Sequence, residues 1–370
     1  MSKEVFSAIW TLVSITVGSG ILALPYVFSK AGFLTGLLVI LITGILMTII
    51  NLYLGEIVLR TKGKHQLTGL AGIYLGKKWK IITFLVTALS IYGALTAYIV
   101  GSGEALKAIL GGNSTVYSII FFIILAIVIY FSIKVLDNFE SLFTPIKIII
   151  VIVLSVLLLK FVNFSRITVF HPSMLLVPYG IAIFSFTGIS AIPEINEELK
   201  NKRNMIKAIL FGMLISFLIY IIFAFSVVGA VDNVTEIATI SLAGFGKGID
   251  IFANIFAVFA MATAFVALGF ALKENMILDY KIKNSLSWLG VIIIPLILAM
   301  SGVFGFAKLM ELSGAIAISI LLGIIMIIHS KAKKLGNRKP EYEIIDNKII
   351  KLIIFLLLTT GIIYSIIVTI

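Results

Sequence analysis

The sequence predicts an all-α integral membrane protein of about 11 transmembrane helices, a 5+5 inverted repeat with broken helices 1 and 6 and one extra C-terminal helix. Of 370 residues, 61% are hydrophobic and 12% charged, more apolar surface than a water-soluble domain of this length can hide in one core. Apolar stretches of roughly 17 to 30 residues recur along the whole chain, each long enough to cross a hydrocarbon core about 30 Å thick. A short motif also appears twice, once in the first stretch and again in the sixth.

The expected spans are Val5 to Phe28, Phe33 to Leu59, Ile81 to Leu110, Val116 to Ile133, Leu142 to Leu159, Met174 to Ile195, Met205 to Val231, Ile249 to Leu272, Leu286 to Gly302, Phe306 to His329 and Ile349 to Ile370. Met1 to Glu4 is too short for the charged start of a cleaved leader, so the first helix is expected in the mature protein. With the N-terminus in the cytoplasm, all but six of the 29 Lys and Arg fall inside, the bias that the positive-inside rule describes. An odd number of spans puts the C-terminus outside, in a multi-pass protein of the cell membrane. No Pro- or Ser-rich linker divides the chain. Residues 1–330 are read as the core (1–160 the first repeat, 174–330 the second), 331–348 as a cytoplasmic linker and 349–370 as the extra helix.

The net charge of +12 does not indicate nucleic acid, because the Lys and Arg sit in short loops rather than on one face beside stacking aromatics. With no cysteine, disulfides, thiolate metal sites and cysteine nucleophiles are excluded. Leu67, Leu70, Ala71, Tyr74 and Leu75 recur at helical spacing beside Lys77 and Lys78, as in a helix lying in the interface, either an inner gate element or a plain anchor. The moderately apolar stretch from Asp232 to Lys247 is expected to fold back over an outer vestibule.

The repeated motif reads Gly20-Ile21-Leu22-Ala23-Leu24-Pro25 and, 168 residues later, Gly188-Ile189-Ser190-Ala191-Ile192-Pro193. Five helices separate the copies, so the second crosses the membrane in the opposite direction, as in an inverted-topology repeat. Glycine costs about 1 kcal/mol relative to alanine in a helix interior and proline about 3, so Val17-Gly18-Ser19-Gly20 and Ser185-Phe186-Thr187-Gly188 are the expected breaks. Freed backbone groups are tolerated at membrane depth only around protein or a polar cavity, so the breaks should face each other. Half-helix N-termini suit a carboxylate and freed carbonyls suit an ammonium or a cation, so a zwitterion fits. The competing reading takes the glycines as packing notches.

These residues resemble the amino acid/auxin permease group of the amino acid-polyamine-organocation superfamily. The likeness lies in Val17 through Tyr26, in Phe184 through Gly188 running into Ala191 through Ile195, and more weakly in Ala260 through Phe265 with Gly269. The resemblance implies secondary active transport of amino acids by alternating access around the broken helices. Carried over, the backbone of Gly18, Ser19 and Gly20 receives the substrate carboxylate, and Phe184, Ser185, Thr187 and Gly188 line its amino and side-chain end. Tyr92, Thr96 and Tyr98 are candidates to complete the pocket, although packing is the commoner role for such a tyrosine.

Sodium-coupled members of this fold hold the ion between helices 1 and 8 with carbonyls and paired hydroxyls, a hard oxygen cage. Here Thr263 is followed by Ala264, so one hydroxyl is missing. Lys147, in Phe143-Thr144-Pro145-Ile146-Lys147, looks like the lysine that replaces sodium in proton-coupled relatives. A buried lysine can link protonation to a conformational cycle, whereas a snorkelling one is only an anchor. Proton symport is the expectation, with sodium symport and a channel-like permease as the alternatives. Glu56, Glu104, Glu194 and Glu311 stand at or near membrane depth, with Glu104 expected exposed and Glu311 paired to Lys308. His65, His171 and His329 fall in loops or at span ends and are read as solvated.

No cluster of His, Asp, Glu or Ser at catalytic offsets is present, which argues against an enzyme. Nor is there the repeated filter loop of a channel. The expected partners are a small amino acid and the lipid bilayer, with no nucleic acid, no obligate protein partner and no cofactor beyond the coupling ion. Phe184, Phe186, Phe259 and Phe265 lean the substrate toward a neutral, aromatic or branched amino acid, unless they only pack.

Overall fold

The computed structural model describes residues 2–131 and 134–369, with the backbone alone for 134–144. The expected span ends at Ile133 and Ile370 and the side chains of Phe143 and Thr144 lie outside the described residues. In chain order the helices are α1 (Lys3–Thr16), α2 (Leu24–Ala31), α3 (Phe33–Arg60), α4 (Leu67–Leu75), α5 (Lys77–Leu110), α6 (Ser114–Phe131), α7 (Lys134–Leu158) and α8 (Phe164–Ile167). They continue with α9 (Tyr179–Ser185), α10 (Ala191–Glu198), α11 (Met205–Ala230), α12 (Lys247–Tyr280), α13 (Asn284–Ser301), α14 (Phe306–Leu312), α15 (Ser319–Leu335) and α16 (Lys348–Thr369). Among the described residues there is no strand.

Among the described residues, eight helical stretches are long and apolar enough to cross a membrane, and α1 with α2, bent by 49°, makes a ninth. The 25-residue α7 and the short pair α9 and α10 stand where the fifth and sixth spans are expected. Apolar side chains face outward as well as inward: on α6, Ile120, Ile124 and Ile127 are exposed at helical spacing, which is the surface lipid requires. Helices cross closely where side chains are small. A Cβ on Gly314, within a π-helical turn joining α14 to α15, would lie 1.9 Å from the Gly180 carbonyl oxygen of α9.

The loops sort into two ends. Lys64 pairs with Glu197, Lys80 with Asp279 at 2.6 Å and Arg60 with Glu343 at 3.0 Å, which gathers the basic loops expected on one side. At the other end the Leu34 amide donates to Val169, the His171 amide to Thr35, and Arg166 pairs with Asp232. Here Gly32 adopts φ 86°, and a Cβ would come 2.8 Å from the Val169 carbonyl oxygen, so this turn requires glycine. The helix α4 buries Leu67, Leu70, Ala71 and Tyr74 against α5 and α15, as its spacing anticipates.

The basic end departs from expectation at residues 331–348. His329 is not solvated. It has no exposure, stacks on Tyr53 at 4.2 Å, and lies 2.9 Å from the equally unexposed Glu56. Lys351 donates to His329 Nδ1 at 3.1 Å, so Nε2 carries the proton that reaches Glu56. Glu56 also accepts from Arg60 at 2.8 Å, from Lys333 at 3.1 Å and from the Ile344 amide at 2.7 Å. The expected linker is therefore a docked strap. Asn337 donates its amide to the Arg60 carbonyl, Arg338 donates to Leu59 and Tyr342 to Leu52. Burial alone would raise the Asp346 carboxyl, but the hydrogen bond and charge of Lys351, with His329 and Ser330 beside them, together hold the carboxyl below its ordinary range. Glu56 thus serves as the centre of an ion network rather than as a solitary intramembrane carboxylate.

Candidate functional site

The helix α1 stops where glycine makes stopping cheap. Gly18, at φ −96° and ψ −147°, leaves the helical conformation and donates its amide to the Thr16 carbonyl at 2.8 Å, closing a tight turn. Ser19 to Leu22 then form one 3₁₀ turn, and α2 begins with Pro25 at a position that needs no amide donor. The first amides of that turn, Ser19 and Gly20, have no acceptor within it. The second break follows the same logic. The helix α9 ends at Ser185, residues 186–190 unwind, and α10 begins at Ala191 with Pro193 in its first turn.

The two breaks touch. A Cβ on Gly20 would lie 2.5 Å from Ser185 Oγ and 2.8 Å from Ser185 Cα, closer than side-chain carbons approach. A Cβ on Gly188 would come 2.8 Å from Leu12 Cδ1 and 3.3 Å from Thr16 Oγ1. Three buried polar atoms around this junction, Thr16 Oγ1, Ser19 Oγ and Asn51 Oδ1, have no hydrogen-bond partner within the protein. The Tyr98 hydroxyl stands beside Ser19. Ser185 and Thr187 donate their hydroxyl protons back to Ile181 and Ile183 at 2.7 and 2.9 Å, which leaves their oxygens as acceptors.

The structure brings Gly18, Ser19, Gly20, Ser185, Thr187, Gly188 and the half-buried Phe184 to this junction. The other aromatic candidates scatter. Phe259 is 47% exposed, Phe265 packs against Phe121 at 5.8 Å, and Phe186 packs against Tyr220 at 5.1 Å. Tyr92 donates to the Gly290 carbonyl on α13 and so belongs to a helix contact, while Thr96 donates within its own helix. Thr263 is buried on α12 and donates to Ala260 at 3.1 Å. Lys147 is 8% exposed, on a helix that packs against α11 and α12. Glu104 is exposed near Lys107, and Glu311 pairs with Lys308 at 3.1 Å, both as expected.

Sequence reasoning passed over Tyr220, whose hydroxyl reaches both Thr16 and Ser185, and the hydrogen bonds that shut the junction. Thr11 donates to Glu198 at 2.6 Å and the Lys200 amide to Glu4 at 3.0 Å, which ties α1 to α10 at the basic end. On the opposite side the Ala238 amide donates to the Leu22 carbonyl at 2.9 Å, so the loop 232–246 covers the first break. A hydrogen bond to a charged group is worth about 1.5–3 kcal/mol. Thr11→Val is therefore expected to raise labelling of a cysteine placed at Ser190, in a chain with no other, by roughly tenfold from the basic end. Thiol labelling in vesicles of both orientations checks this, and unchanged labelling would rule the tie out as a gate.

The model of the tryptophan/tyrosine permease family matches residues 1–366. Glutamine transporter 2 of Aliivibrio fischeri is 23% identical over 90% of this chain and 91% of its own length. The tryptophan-specific transport protein of Haemophilus influenzae is 23% identical over 93% and 91%, and the low affinity tryptophan permease of Escherichia coli K12 is 26% identical over 66% and 63%. Among solved structures, that of MhsT in complex with L-phenylalanine matches with a TM-score of 0.68 at 15% identity, covering 100% of this chain and 99% of that one. At that identity the likeness speaks to the fold.

Proposed function

The chain belongs to the tryptophan/tyrosine permease family, and from that premise we propose that it is a proton-coupled amino acid symporter that works by alternating access around the two helix breaks. This family places it among membrane permeases rather than enzymes, and it is distinct from the amino acid/auxin permease group that the motifs resemble. The observation that carries the reading is the face-to-face approach of the breaks at Gly20 and Ser185, with buried Thr16, Ser19 and Asn51 oxygens unpartnered beside it. A zwitterion matches those groups. Its carboxylate takes the amides of Ser19 and Gly20 across the Gly18 turn, at the positive end of a helical turn. Its ammonium takes the acceptor oxygens of Ser185 and Thr187, beside Gly188 and Phe184.

We assign the basic end to the cytoplasm, because the loops bearing most of the Lys and Arg converge there. This places the N-terminus inside and the C-terminus outside, with residues 1–160 and 174–330 as the inverted halves and α16 appended. Lys147 is the coupling residue in this reading. Its burial supports a proton carrier over an interfacial anchor, whereas Thr263 lacks a second hydroxyl beside it. The substrate is a neutral amino acid, and the relatives named for glutamine and tryptophan set the panel to try. Purified protein in proteoliposomes is expected to take up at least one of labelled tryptophan, tyrosine, phenylalanine or glutamine saturably. Flux that stays linear with concentration would favour a channel, and no uptake of any amino acid would overturn the reading.

A further inference from the structure

The helix α11 sends one polar group to the junction that substrate binding does not use. Tyr220 is unexposed, its ring stands edge-on to Phe186, and its hydroxyl oxygen lies 2.5 Å from the Thr16 carbonyl oxygen and 2.6 Å from that of Ser185. Thr16 is the last residue of α1 and Ser185 the last of α9. Helix C-termini carry roughly half a negative charge each, so two negative ends converge on one oxygen, a point that attracts a cation. A hard cation keeps its oxygen ligands roughly 2.3–2.6 Å from itself, and oxygens around it stand roughly 3.3 Å or more apart. The separations at Tyr220 are those of hydrogen bonds. A hydroxyl supplies one proton, shared here by two carbonyls.

We propose that the Tyr220 hydroxyl is a built-in substitute for a cation at the meeting point of the two breaks. Its proton offsets the converging helix ends, it holds α1 and α9 in register, and its oxygen fills the place an ion would need. The electrostatic part stands without the transport reading, whereas the expected effect on substrate affinity rests on it. Tyr220 is in these terms a positioning residue, acting through the backbone of Thr16 and Ser185.

The test compares wild type, Tyr220→Phe and Tyr220→Asn, melted in detergent with sodium, potassium or choline chloride at equal concentration. Wild type is expected to melt at one temperature in all three salts. Tyr220→Phe keeps the ring against Phe186 but loses the proton, so it melts lower in choline and recovers part of the loss in sodium. Tyr220→Asn offers a shorter oxygen ligand and leaves room, so sodium stabilises it saturably. In uptake assays in choline medium the KM of Tyr220→Phe rises by about tenfold while kcat stays within about threefold, a loss of binding equal to about 1.4 kcal/mol. A Phe variant that melts and binds like wild type in every salt would overturn the proposal. So would a saturable sodium stabilisation of wild type that survives Thr263→Ala, because it would put an ion at the junction. Should wild type take up no amino acid, the transport reading fails and the melting comparison still decides the role of Tyr220.

Discussion

Glu56→Ala is expected to lower stability by about 3–5 kcal/mol, the usual consequence of leaving buried charges without their partner. Four donors converge on this one carboxylate: His329, Arg60, Lys333 and the Ile344 amide. Its removal leaves Arg60 and Lys333 facing each other beside an unexposed histidine. The strap 336–347 then loses its centre, though it keeps Arg338 on Leu59 and Tyr342 on Leu52. The expected outcome is a lower melting temperature together with new tryptic cleavage after Arg338. Glu56→Gln preserves shape and one acceptor and should lose less. A Glu56→Ala protein that melts like wild type and resists trypsin would show that the network contributes nothing net, as happens when desolvation cancels attraction.

Gly20→Ala is expected to reduce uptake by roughly tenfold to hundredfold while leaving the protein in the membrane, since overpacking costs about 1–3 kcal/mol. The added carbon meets Ser185 Cα at 2.8 Å, a backbone atom that cannot rotate away, so the breaks must separate. Gly323→Ala on α15 is the control, because a Cβ there meets nothing within 4 Å. It should be neutral, or stabilising by about 0.5–1 kcal/mol through helix propensity. Uptake by Gly20→Ala equal to that of the control would show that close approach of the breaks is not required.

Both breaks were legible because glycine and proline carry large local costs that no tertiary contact has to supply. Gly18, Gly20, Pro25, Gly188 and Pro193 declare themselves in the chain, and their matched places imply that the breaks meet. The gathering of the basic loops at one end was legible for a similar reason, as charge sits where the chain leaves its apolar spans. Tyr220 was hidden because it stands between Ile219 and Ile221 in a helix apolar on every side, where no periodicity tells an inward tyrosine from a lipid-facing one. The same ambiguity misplaced Phe259, six residues from the buried Phe265 on one helix. His329 read as a span end because Lys331 follows it closely, and its partner Glu56 lies 273 residues away, a pairing that local sequence does not encode. The strap was likewise unreadable: its hydrogen bonds run from 337–344 back to 52–62.

The most direct test of coupled transport through this site is uptake of the preferred amino acid into proteoliposomes under an inward proton gradient or an inward sodium gradient, for wild type, Lys147→Ala and Thr263→Ala. Lys147 is buried on α7, and its protonation is the proposed link to the cycle. Wild type is expected to concentrate substrate under the proton gradient alone, Lys147→Ala to equilibrate it without accumulation, and Thr263→Ala to retain most of the accumulation. Accumulation that needs sodium, survives Lys147→Ala and vanishes in Thr263→Ala would contradict proton coupling, move the ion to α12 and leave Lys147 as an anchor.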